Sequence, residues 1–145
     1  MLKKIDHINI VVENIDLVVK FFKDIGLEEV ANGYLEGDWL NNTVGLKNAK
    51  ANYIALTIPN TETKIEIIKY LTPKGALVVD SKANDMGYRH IAFEVEDIEI
   101  EVEKLRGKDI KLFSNIQIYP KNGKKLVYFY GPENIIIEYA QYTKN

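Results

Sequence analysis

The only two histidines in the chain occupy the same local phrase: Ile5-Asp6-His7-Ile8-Asn9-Ile10-Val11-Val12-Glu13-Asn14-Ile15 and, in the second half, Tyr88-Arg89-His90-Ile91-Ala92-Phe93-Glu94-Val95-Glu96-Asp97-Ile98. Imidazole is the commonest metal ligand, and its placement at equivalent points of a repeat predicts one symmetric site drawn from both halves. Two acids join the set: Glu66 in Lys64-Ile65-Glu66-Ile67-Ile68, and Glu138 in Ile135-Ile136-Ile137-Glu138-Tyr139. A carboxylate among so many isoleucines is costly to bury without a partner, and a divalent cation would be that partner. His7, Glu66, His90 and Glu138 make a mixed nitrogen and oxygen set suited to one Ni, Co, Zn, Mn or Fe ion, with positions open for water or substrate.

Each of the four also has an ordinary reading. A lone strand histidine is more often a hydrogen-bonded structural residue, and either glutamate could face solvent on a half-exposed sheet. Their recurrence at repeat-equivalent places favours the metal.

The elements that must position them are legible from patterning. Ile5 to Val12 reads as a strand, Asn14 as a helix cap, and Ile15, Val18, Phe22 and Ile25 as one apolar helical face ending at Gly26. Arg89 to Val95, the cap Asp97, the positions Ile98, Val102 and Leu105, and Gly107 repeat that grammar. Further strands are expected over Glu28–Val30, Ala51–Ile58 and Lys64–Leu71, and over Lys111–Ser114, Leu126–Tyr130 and Ile135–Tyr142. The fold class is therefore α+β, with two βαβββ modules, 5–71 and 88–142, in a single domain spanning 1–145. Between them, 72–87 is turn-rich, with Pro73, Gly75, Asp80 and Gly87, and reads as a linker.

Strand alternation sends His7, Asn9 and Val11 to one face, and His90, Ala92 and Glu94 to one face, away from the helices. The expected substrate pocket is Asn9, Val11, Trp39, Ile68 and Ala92, with Ile136 adding apolar wall. Trp39 lies in a less regular stretch, Asn32 to Lys50, expected to be a loop or short helix over a pocket. It lines the pocket mouth or anchors that stretch by packing, with packing the more ordinary role. Tyr128, Phe129 and Tyr130 alternate faces, and sheet packing is their ordinary role. Lysines are read as solvated surface.

Composition closes other routes. The chain has 145 residues, 46% of them apolar, enough for one core. It has no cysteine, which excludes disulfides, thiolate nucleophiles and Cys-based metal sites. A net charge of −2 from interspersed charges gives no footprint for nucleic acid or anionic membrane, and no stretch is apolar enough to span a bilayer. The expectation is a cytoplasmic protein whose partner is a small molecule.

These residues resemble the vicinal oxygen chelate superfamily, which includes glyoxalase I, methylmalonyl-CoA epimerase, fosfomycin-resistance proteins, extradiol dioxygenases and bleomycin-resistance proteins. The resemblance covers nearly the whole chain through Asp6–Val12, Phe21-Phe22-Lys23-Asp24-Ile25-Gly26-Leu27, Arg89–Val95 and Tyr128–Glu138. It implies paired modules in a cup-shaped mixed sheet, His7, Glu66, His90 and Glu138 as ligands, and a homodimer. The nearest branch is the glyoxalase I-like or epimerase-like one. There a divalent-metal-dependent lyase or isomerase acts on a small carbonyl compound through a stabilised enediolate or enolate, with Glu66 or Glu138 as catalytic base. The alternative is a non-catalytic, bleomycin-resistance-like binder. Bacterial glyoxalase I enzymes usually carry arginine where this chain has Val11, which weakens glutathione as substrate carrier. Extradiol dioxygenases add a further histidine that this chain lacks.

Overall fold

The computed structural model describes residues 1–77 and 81–143. The chain divides into two units, Met1–Leu77 and Val78–Asn145. Asp80, counted above in the linker, lies outside the described residues.

In the first unit, β1 (His7–Val11) leads through α1 (Ile15–Asp24) to β2 (Glu28–Glu36), α2 (Asp38–Val44), β3 (Lys50–Thr57) and β4 (Lys64–Thr72). The sheet order is β1-β4-β3-β2, with β1 parallel to β4 and the remaining pairs antiparallel. Asn14 caps α1 by accepting the Leu17 amide, and the helix turns Val18, Val19 and Phe22 inward onto β3 and β4. Phe22, Leu56 and Ile67 are fully enclosed, and each such side chain adds about 1.5–3 kcal/mol of apolar burial.

The second unit repeats the plan: β5 (His90–Glu94), α3 (Ile98–Arg106), β6 (Gln117–Ile118), β7 (Lys125–Tyr130), a 3-10 turn at Pro132–Asn134, and β8 (Ile136–Gln141). Its order is β5-β8-β7-β6, with β5 parallel to β8. Asp97 caps α3 through the Ile100 amide, and Ile98, Val102 and Leu105 are buried, as their spacing predicts. Two βαβββ modules, each a four-stranded mixed sheet, make this a glyoxalase-like α+β fold. No helix of the described residues is long and apolar enough to cross a membrane.

Three local expectations change. β2 runs to Glu36 where the sequence suggests an end at Val30, because pairing with β3 overrides the weak strand propensity of Asn32 and Gly33. The Tyr53 ring lies over Gly33, where a Cβ would come within 2.9 Å of its Cε1 and the ring would have to shift. The strand expected at Lys111–Ser114 is only a bridge from Leu112 to Phe129. Ser114 and Gln117 side chains instead bond the Asn115 carbonyl, a local alternative to a ladder, and pairing resumes at β6. Trp39 is not the anchor of its segment, since it stands 58% exposed on α2 while its neighbour Leu40 is buried.

Candidate functional site

The two units set their ligand-type residues at matching register. In the first, His7 faces Lys64 and Asn9 faces Glu66 across the parallel pair β1 and β4. In the second, His90 faces Ile136 and Ala92 faces Glu138 across β5 and β8. The histidine therefore stands two residues before the residue beside the glutamate in both units, and alternation puts both on the sheet face away from the helix. On the other flank, β3 sets Ala55 beside Glu66 and β7 sets Tyr128 beside Glu138.

Within the second unit four side chains converge. Nε2 of His90 lies 3.2 Å from Oε2 of Glu138, and the Tyr128 hydroxyl lies 3.4 Å from the same nitrogen. Glu138 is 5% exposed, and Lys124 donates from Nζ to its Oε1 at 3.0 Å. That hydrogen bond holds the Lys124 ammonium above its ordinary pKa, because losing the proton would strand the carboxylate. Burial first, then the negative charge of Glu138, pushes the Tyr128 phenol upward.

Lys124 is a member of this cluster that sequence reasoning passed over, having read the lysines as solvated surface. It ends the turn before β7, where Gly123 has a φ of 72°, Tyr119 N–H donates to the Lys124 carbonyl, and the Asn122 side chain accepts the Lys124 amide. Asn122-Gly123 is a hairpin signal, and counting back in twos from Tyr128 reaches Leu126 and then Lys124 on the same face.

Within the first unit the arrangement is looser. Nδ1 of His7 sits 2.8 Å from Oδ2 of Asp6, and Asn9 donates to Oε1 of Glu66 at 2.8 Å. The His7 bond, and then Lys64, hold the Asp6 carboxyl below its usual range. Glu66 is half-buried. Of the other expected pocket residues, Val11 is 60% exposed, Ile68 is buried beside it, Trp39 stands on α2, and Ala92 is exposed beside Glu138.

Imidazole nitrogen and carboxylate oxygen are donor types that suit a divalent cation. Nitrogen and oxygen ligands about 2.0–2.2 Å from a metal at right angles stand about 3 Å apart, close to the 3.2 Å between His90 and Glu138. Metal-binding histidines commonly give their second ring nitrogen to a carboxylate, which is the relation of His7 to Asp6. Among the described residues no three His, Asp or Glu side chains form a group that could hold a metal.

A family model for the Glyoxalase/Bleomycin resistance protein/Dioxygenase superfamily matches residues 6–129. The chain belongs to that superfamily. It is similar to a glyoxalase family protein of Bacillus cereus, with 30% identity over 99% of this chain and 97% of that one, at a TM-score of 0.90. The fold is shared with the fosfomycin resistance protein FosX of Listeria monocytogenes, solved with Mn(II) and sulfate (19% identity, 99% and 95% covered, TM-score 0.61). It is shared also with TnmS3, an antibiotic-binding protein of Streptomyces (12% identity, 98% of each covered, TM-score 0.66). No curated protein matches the sequence.

Proposed function

We propose that this protein is a divalent-metal-dependent lyase or isomerase acting on a small carbonyl compound. What carries the reading is the matched register of the two units, which sets His7 with Glu66 and His90 with Glu138 as ligand-type pairs. A cation bound by such a pair would polarise a carbonyl oxygen and so acidify the carbon beside it. The proton on that carbon is a task for a carboxylate, and the two glutamates are not equal candidates. Both oxygens of Glu138 are already engaged, by the Lys124 ammonium and by His90, whereas the partner of Glu66 is the neutral amide of Asn9. Glu66 is therefore assigned as the base, with Asn9 fixing its orientation.

The test combines metal analysis with isotope exchange. The expected result is stoichiometric divalent metal in the purified protein, its loss on His7→Ala or Glu138→Ala, and solvent-deuterium incorporation into a turned-over carbonyl substrate. Protein that lacks such metal, and that His7→Ala leaves unchanged, would sink the reading.

Lys124 favours a second reading, a binder of small molecules without turnover, because its ammonium already compensates Glu138. Ligand affinity indifferent to chelator, with no product formed, is the behaviour that separates it from the first.

A further inference from the structure

The carboxylates of Glu66 and Glu138 are satisfied by partners of different charge. Glu66 receives a neutral amide from Asn9. Glu138, the more deeply buried, divides its oxygens between His90 on Oε2 and the Lys124 ammonium on Oε1. Register explains the difference. Ala92 replaces Asn9 beside the second glutamate, and counting four residues back from Ala55 and from Tyr128 matches Ala51 with Lys124. The second unit has exchanged an amide on one flank for a cation on the other. That cation is held in place: its side chain is 21% exposed, the turn fixes its backbone, and its Nζ lies 5.7 Å from the centre of the Tyr142 ring.

We infer that Lys124 is a built-in rival of the divalent cation at Glu138: it compensates the carboxylate when no metal is present and lowers the affinity with which metal is bound. The inference rests on the metal-centre reading above. A metal on Oε2 leaves Nζ close by on Oε1, and two cations sharing one poorly solvated carboxylate repel strongly. A neutral donor at position 124 keeps the hydrogen bond without the repulsion, and the first unit, with Ala51 and Asn9, illustrates a carboxylate satisfied in that neutral way.

The experiment compares the full-length wild type, Lys124→Gln and Glu138→Gln, each stripped with chelator and titrated with Mn(II) and with Zn(II) by calorimetry, with Tm recorded at each step. Lys124→Gln is expected to bind metal at least tenfold more tightly than wild type. Its stripped form is expected to melt lower than stripped wild type, and metal to raise its Tm by more. Equal affinity in wild type and Lys124→Gln overturns the rivalry while leaving the metal centre standing. Absence of binding in both removes the metal centre, and the rivalry with it. An independent measurement needs no variant: the side-chain ammonium signal of Lys124, followed by nitrogen-15 NMR in wild type, is expected to move on adding Zn(II). A signal that stays fixed at saturating metal overturns the proposal.

Discussion

Asn9 and Glu66 stand side by side on parallel strands, and the Asn9 amide donates to Oε1 of Glu66 at 2.8 Å. Because Glu66 is only half-buried, water can replace that donor, so Asn9→Ala is expected to lower stability by no more than about 0.5–1.5 kcal/mol in urea unfolding. Turnover is expected to fall much further, by about 10- to 100-fold, as for other groups that orient a ligating or basic side chain. Parallel urea curves and rate measurements check the split. Equal, small losses in both would remove Asn9 from the site.

The helix caps Asn14 and Asp97 occupy equivalent places, each accepting the amide three residues on. Replacing either by alanine is expected to cost about 1 kcal/mol, within a range of about 0.5–2. The two sites lie in different units, so the double variant is expected to lose the sum of the two. Denaturant midpoints at constant slope would show it.

Tyr139 is 4% exposed, and its phenol is pushed well above the ordinary value of 10, first by burial and then by Glu101. The raised value favours the neutral form in the folded state, so the associated stability is intact below pH 10 and declines above it. In that window the unfolded chain ionises and the folded one does not, giving a slope near 1.4 kcal/mol per pH unit from this group. Tyr139→Phe is expected to flatten the alkaline fall in stability, by a slope that is small near pH 9 and approaches that figure near pH 11, measured from midpoints taken across that range. An unchanged slope would mean that the phenol titrates alike in both states.

Trp39 is the single tryptophan and is 58% exposed on α2. Acrylamide is therefore expected to quench its emission readily. A substrate or analogue held near it is expected to reduce that quenching, and undiminished quenching at saturation would place Trp39 outside the pocket.

How much of this was legible in the sequence depends on the range of the forces involved. The caps at Asn14 and Asp97 and the stripes Val18–Phe22 and Ile98–Val102–Leu105 are local signals, and they appear as read. The equivalence of Glu66 and Glu138 was readable too, since each sits in a short isoleucine-rich run in the later part of its module. What failed was non-local. β2 extends because β3 lies beside it, and nothing near Asn32 and Gly33 announces that. Leu40, not Trp39, fills the space under α2, a matter of packing that composition cannot rank. Lys124 was passed over because lysines are usually solvated. Its place in the cluster comes from Glu138, fourteen residues along on β8.

The shared register has one more consequence. Since the strand positions around Glu66 have counterparts around Glu138, the chain contains its own aligned relative, and the places where the copies disagree can be read as a record of divergence. Asn9 against Ala92, Ala51 against Lys124, Ala55 against Tyr128, and α2 with no matching helix between β6 and β7 are such places. Transplanting one side of each disagreement onto the other, beginning with Ala92→Asn together with Lys124→Ala, would ask how far the two halves are still interchangeable.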